Sequence, residues 1–279
     1  MNIYVIPNQS KPEAIECSKS VEDELKKHGC NVFVDREKDT SYGFTDVHRK
    51  HMAESDIVIA IGGDATALRT AKACAEFEKP VLGINAGRLG FMTGLERSEL
   101  ALLSKLTMGD YTIEERMMLD VELYSEDGTL QFRENALNDA VISRGSQSKI
   151  LDLDIMINDR SSMNCRADGV IISTPTGSTA YALSAGGPII DPRLCCIELT
   201  PVCSHALFSR PVLFSSDTKL SVFGNYARNK GVFLTVDGES DLPVEKGGHV
   251  DITMSSSIAK LIKIHNDSFY DVLINKFKD

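Results

Sequence analysis

No stretch of the 279-residue sequence is apolar for the roughly 20 residues a membrane-spanning helix requires, so no membrane partner is expected. The opening Met1-Asn2-Ile3-Tyr4-Val5-Ile6 runs straight into a strand-like segment. It lacks the basic, apolar and small-residue succession of a signal peptide. No cysteine pair has the CxxC spacing of a zinc or redox centre, and seven cysteines cannot all pair. Buried, reduced thiols are expected, including Cys195 and Cys196 in an apolar run, which suits a cytoplasmic chain. The sequence has no GxxxxGK[ST] and no GxGxxG. That excludes a Walker-type phosphate loop and the common dinucleotide fingerprint. Positive charge is also short: 30 Lys and Arg against 40 Asp and Glu leave a net charge of -10. Nucleic acid is therefore not an expected partner, and an anionic nucleotide must meet a local cation or a metal ion. Internal repeats, low-complexity tracts and long Pro/Ser linkers are absent too.

The composition present is that of a folded chain, 42% apolar and 25% charged, long enough for one large domain or two modest ones. The first hundred residues alternate strand and helix. Strands are expected at 3–6, 31–34, 57–61 and 81–84. Helices are expected at 11–28, with Ala14, Ser18, Val21 and Leu25 on one stripe, and at 66–77. The unbroken 57–61 run suits a parallel strand buried on both faces. This is a doubly wound, Rossmann-like α/β pattern, whose ligands bind beyond the carboxyl ends of the strands. After Gly109 the period changes to two, with turn signals at Asp127-Gly128 and Asn158-Asp159. Strands recur near 211–223, 231–237 and 249–264, so the second half is expected to be an antiparallel, sandwich-like all-β domain. A last helix is expected at 268–277. Residues 1–110 and 266–279 are assigned to the α/β domain and 111–265 to the β-rich one.

Five segments carry chemistry. Gly62-Gly63-Asp64-Ala65-Thr66 closes the most hydrophobic strand and opens a helix, where glycines let a phosphate approach backbone N–H groups. A carboxylate there reads equally as a helix cap or as a functional group, either a general base for a hydroxyl or a magnesium-directed carboxylate. Asn85-Ala86-Gly87-Arg88-Leu89-Gly90-Phe91 follows the next strand and by itself reads as a turn. Leu137-Asn138-Asp139 interrupts the strand-like run 136–143 with polar residues that must find partners. Ser173 to Pro188 crowds hydroxyl residues and glycines at a strand-to-helix junction, enough to line a nucleotide pocket without adding negative charge. Thr235-Val236-Asp237-Gly238-Glu239 reads as a hairpin turn.

Together these segments resemble the NAD kinase family in order and spacing, from Ile57 to the carboxyl terminus. The Thr174–Pro188 stretch TPTGSTAYALSAGGP is the most specific part. The acidic glycine motif is shared with diacylglycerol kinases, sphingosine kinases and phosphofructokinases. Asn138-Asp139 and Ser209-Arg210-Pro211-Val212 add further agreement. The resemblance implies an α/β domain followed by an all-β NAD-binding domain, with the last helix returning to the first. It implies transfer of a phosphoryl group from ATP or polyphosphate, with Mg2+ or another divalent cation, to the 2'-hydroxyl of the adenosine ribose of NAD. A homodimer or homotetramer is implied as well.

Carried over by motif, Asp64 is the proton acceptor and Gly62, Gly63, Thr66, Gly87 and Gly90 form the phosphate loops. Ala65, Arg69, Asn138, Asp139, Lys149, Arg166, Asp168, Thr176, Thr179, Ala180, Tyr181, Ser184 and Glu239 match NAD-binding positions. Tyr181 could stack on a ring. Two departures stand out: Ala65 where the family usually has glycine, and Asp139 where glutamate is common. A lipid or sphingoid kinase sharing the acidic glycine motif, or a weakened dinucleotide-binding regulator motivated by Ala65, are the alternative readings.

Overall fold

The computed structural model describes residues 1–36, 43–86, 90–145, 150–204, 210–224, 231–265 and 268–276. The chain divides into two compact units, Met1–Arg116 with Ile258–Asp279, and Met117–Ser257.

The first unit opens with β1 (Asn2–Pro7), α1 (Pro12–Lys27), β2 (Asn31–Val34), α2 (Asp46–Glu54), β3 (Ile57–Gly62), α3 (Asp64–Ala75) and β4 (Pro80–Asn85). A two-residue β5 (Leu95–Glu96), a 3-10 helix (Arg97–Leu103) and α4 (Ser104–Met108) follow. The strands are parallel in the order β2-β1-β3-β4, with β5 beside β4. Every residue of β3 is buried, as an apolar run between two helical layers requires. One face packs Ile3, Val5, Ile57, Ile59, Ile61, Leu82 and Ile84 against Ala14, Cys17, Val21 and Leu25 of α1 and Leu103 and Leu106 beyond it. Ser18, on the expected stripe, is buried with them.

The helix expected at 66–77 begins and ends two residues earlier, which brings Asp64 and Ala65 into its first turn. Helix α2 is absent from the pattern reading because it buries only His48 and Met52, too thin a stripe to register. A capping box between Thr45 and His48 fixes its start instead.

The second unit continues with β6 (Thr112–Tyr124), β7 (Leu130–Ala136), β8 (Asp139–Arg144), β9 (Leu151–Ile157), β10 (Ser161–Ala167) and β11 (Gly169–Ser173). A 3-10 turn (Gly177–Thr179) and α5 (Tyr181–Ser184) lead to β12 (Cys196–Val202), β13 (Val212–Ser215), β14 (Leu220–Gly224), β15 (Val232–Val236), β16 (Glu239–Val244) and β17 (His249–Lys263). Helix α6 (Phe269–Lys276) belongs to the first unit, as do the last residues of β17, which pair in parallel with β4. One antiparallel sheet runs β13-β12-β11-β8-β15-β16, and β10-β9-β14-β17 form a second layer. Their facing apolar residues, among them Leu153, Ile155, Val170, Ile172, Leu199, Leu220, Val222 and Ile252, make one core. The β9–β10 hairpin turns at Asn158 and Asp159, both at positive φ, with three residues between the paired Ile157 and Ser161.

Two expectations change. The run 136–143 is not one strand: β7 stops at Ala136 and β8 starts at Asp139, leaving Leu137 and Asn138 as a junction. The cysteines are free as expected, yet Cys195 and Cys203 are exposed, because Cys195 precedes β12 and Cys203 follows it. No helix is long and apolar enough to cross a membrane, among the described residues.

Candidate active site

The Gly62–Thr66 turn joins the carboxyl end of β3 to the amino end of α3. Gly63 is extended and caps the helix, and Asp64 is its first residue. The carboxylate of Asp64 accepts the backbone N–H of Phe91 at 2.9 Å on Oδ2 and that of Met92 at 3.0 Å on Oδ1. Hydrogen bonds from neutral donors to a charged acceptor contribute about 1.5–3 kcal/mol each. Two of them fix the orientation of the carboxylate and leave each oxygen a further lone pair. Gly90 is glycine for a steric reason: a Cβ there would overlap the Asp64 carboxylate. Thr66 is buried, and its hydroxyl accepts from the side-chain amide of Asn8 at 3.1 Å. The ammonium of Lys276 lies 3.8 Å from Asp64 Oδ2.

The loop residues Gly62, Gly63, Asp64, Thr66 and Gly90 are thus gathered at one strand end. Arg69 lies further along α3, half-buried. Ala65 is helical and exposed, and it is not among the residues with positive φ. Alanine therefore costs the turn nothing. Gly87 and Lys149 lie outside the described residues.

In the second unit the junction Leu137-Asn138-Asp139 is held by a residue a hundred positions away. Asp237, at φ 51°, accepts the N–H groups of Leu137 (3.0 Å), Asn138 (2.7 Å) and Asp139 (3.1 Å) on its carboxylate. Its own N–H donates to the carbonyl of Asp139 at 2.9 Å. The Thr174–Gly177 loop sits directly on this junction. The Thr174 hydroxyl donates to the Leu137 carbonyl at 2.6 Å, and the Thr174 N–H to the Asn138 carbonyl at 2.9 Å. A Cβ on Gly177 would overlap the Asn138 carbonyl, so this approach needs glycine.

The hydroxyls of the 173–188 segment serve the segment itself more than its composition suggests. Ser178 donates to the Pro175 carbonyl at 2.7 Å and Thr179 to that of Thr176 at 3.2 Å, so these hydroxyls build the loop itself. Thr176 is buried, Ala180 half-buried and Ser184 exposed. Tyr181 exposes 47% of its surface, which leaves its ring accessible to a ligand.

Beneath this segment lies a buried polar row. Ser173 is the direct cross-strand partner of both Asp139 and Glu198, so the three side chains share one face. Glu198 is fully buried and accepts from Ser173 at 3.0 Å and Thr200 at 2.6 Å. Burial raises its carboxyl above the ordinary range, and the two hydroxyls offset part of that. Asp139 is 5% exposed. Burial, and then the neighbouring Asp237 carboxylate, push it up to about 7. Asp168 is paired with Arg144 at 2.7 and 3.2 Å. Arg166 is exposed on β10, and Glu239 opens β16, half-buried.

Asp237, Glu198, Arg144 and Lys276 were not singled out from the sequence. Asp237 lay within a recognised segment, and the only signal for its role was an acidic residue at a turn needing positive φ. Glu198 gave a signal of its own, a carboxylate inside an apolar strand. Arg144 and Lys276 gave none.

Two outcomes follow. Ala65→Gly should lower stability by up to about 1 kcal/mol, the helix cost of glycine, and leave turnover within about twofold of the parent. A large gain in turnover would show that the turn needs glycine. Asp139 keeps its proton in the folded chain after an unfolded aspartate has lost it, so its contribution to stability falls as pH rises from about 4 to about 7 and is level above. Asp139→Asn should therefore melt higher than the parent at pH 7.5, with the advantage shrinking toward pH 4. Thermal melts across that range check it.

The ATP-NAD kinase N-terminal domain model matches residues 3–111, and the ATP-NAD kinase C-terminal domain model matches 137–264. The NAD kinase of Caldanaerobacter subterraneus subsp. tengcongensis is 39% identical over 283 residues, covering 99% of each chain. That of Acetivibrio thermocellus is 36% identical over 284 residues, covering 100% of this chain and 98% of that one. The yeast NADH kinase complexed with NADH superposes with a TM-score of 0.84 at 23% identity, over 100% of this chain and 86% of that one. An NAD kinase from Archaeoglobus fulgidus in complex with ATP gives 0.76 at 24%, over 100% and 99%. At these identities the two structures establish the fold: an α/β unit, a β-rich unit and a final helix in the first. With both halves matched and full-length relatives above one-third identity, the chain belongs to the NAD kinase family.

Proposed function

We propose that the protein transfers the terminal phosphoryl group of ATP to the 2'-hydroxyl of the adenosine ribose of NAD, with Asp64 as general base. The observation that carries this is the Asp64 carboxylate, aimed by two backbone amides at the strand end where an α/β unit binds its ligand. A helix cap alone would turn its oxygen onto its own helix. Asp64 instead accepts from residues 27 and 28 positions on. Phosphoryl transfer needs alignment and charge neutralisation more than covalent help. A carboxylate that accepts the hydroxyl proton as the O–P bond forms supplies the missing proton transfer.

Asn138, Asp139, Thr176 and Tyr181 hold the dinucleotide in this reading, with Arg69, Arg166, Asp168 and Glu239 as further polar contacts. The Gly62–Thr66 turn and Gly90 take the donor phosphates. Mg2+ or another divalent cation accompanies ATP and neutralises its phosphates. Such an ion needs few protein ligands, and Asp64 is a carboxylate present at the turn. ATP is the donor favoured by the Archaeoglobus relative's complex. The family resemblance also implies a cytoplasmic homodimer or homotetramer, which cell fractionation and light scattering read directly.

A coupled assay with NAD, ATP and magnesium, reading NADP with an NADP-specific dehydrogenase, tests the reading. Asp64→Asn should lose about 100-fold or more in turnover, the size of a general-base effect, while still binding NAD. Turnover near that of the parent would remove Asp64 from the chemistry. NAD binding without NADP would favour a regulator, and a phosphorylated lipid would favour the other kinase class.

A further inference from the structure

In the proposed reaction a base and a phosphoryl group meet at one hydroxyl oxygen, and both carry negative charge. The net charge of -10 adds to that repulsion. A cation is needed at Asp64 itself, and the structure supplies one from the far end of the chain.

Lys276 lies in the last turn of α6. Its ammonium is 3.8 Å from Asp64 Oδ2 and 4.0 Å from the centre of the Phe91 ring. At 3.8 Å it attracts the carboxylate without donating a hydrogen bond to it. The ring face holds the charge without accepting a strong hydrogen bond. The ammonium is therefore held in position while its N–H donors remain available to an incoming acceptor. Phe91 is also the residue whose N–H orients Asp64, and its ring lies 6.1 Å from that of Phe269 at the start of α6. Both ends of α6 thus bear on the segment that aims the carboxylate. Lys11 reaches the neighbouring Gly63, its ammonium 4.0 Å from where a Cβ would stand there.

We propose that Lys276 is a catalytic residue: its ammonium contacts the phosphoryl group in transit and, by pairing with Asp64, lets carboxylate and phosphate share one site. The assignment rests on the kinase reading above. In the step, a bond forms between the ribose 2'-oxygen and the terminal phosphorus. The bond from that phosphorus to the bridging oxygen breaks, and its electron pair leaves with ADP. The hydroxyl proton passes to Asp64. Lys276 stays protonated throughout and stabilises charge that is largest in the transition state.

The test compares Lys276→Met, Lys276→Arg and Phe91→Leu in steady-state assays with ATP and NAD, alongside thermal melts and calorimetric NAD binding. Lys276→Met should lower kcat by about 100-fold or more, as for loss of one transition-state donor. NAD affinity should stay within about threefold, because the ammonium serves the phosphoryl group. Lys276→Arg should recover most of the loss. Phe91→Leu, which keeps the cation but loosens its seat, should lose much less. If Lys276→Met does not fold, Lys276→Gln takes its place. Turnover within about threefold of the parent in the uncharged variant, or an equal loss in Phe91→Leu, would overturn the assignment. A parent protein that makes no NADP would instead refute the kinase reading itself.

Discussion

The carboxylate of Asp64 accepts two backbone N–H groups from Phe91 and Met92, and these bonds tie the start of α3 to the segment after β4. A base on a flexible turn would sample many orientations, and misplacement by an ångström can cost two orders of magnitude in rate. Here the orientation is set by main chain, which no side-chain rotamer can spoil. The features around it follow from that constraint. Gly90 must lack a Cβ so that the backbone can close on the carboxylate. Asp64 must stand at the first position of α3, where the helix amino end favours negative charge. The Phe91 ring, fixed by the same segment, holds the Lys276 ammonium beside the Asp64 carboxylate.

The second unit solves a related problem with the same device. Asp237 gathers three amides of the Leu137–Asp139 junction, and the Thr174–Gly177 loop is built on that junction. Burial, and then the Asp237 carboxylate beside it, push Asp139 up to about 7. Two buried carboxyls, Asp139 and Glu198, flank Ser173 in one cross-strand row. Burial shifts both carboxyls of this row toward the protonated form.

Much of the fold was legible because its strongest elements carry unbroken signals. The 57–61 run of β3, the α1 stripe and the Asn158-Asp159 turn each rest on local sequence, and each stands where it was expected. Asp64 was legible as well, although only as either cap or base. The break at Leu137-Asn138 was not, since neither glycine nor proline marks it and the carboxylate that causes it is Asp237, a hundred residues on. Lys276 was invisible for the same reason, because a lysine in a terminal helix gives no hint of which carboxylate it will meet. The segment 174–188 drew attention by its hydroxyl content, and the structure uses much of that content within the loop. Several of its hydroxyls hold the loop together, and the ring of Tyr181 is left exposed.

The central claim is that Asp64 faces the hydroxyl that is phosphorylated. The most direct measurement is a crystal structure with NAD and a non-hydrolysable ATP analogue bound together. The account predicts the adenosine 2'-oxygen at about 2.6–3.2 Å from an Asp64 carboxylate oxygen, the reach of a general base, with the terminal phosphorus on the opposite side of that oxygen. A 2'-oxygen out of reach of Asp64, even through one water, with another side chain in its place, would contradict it.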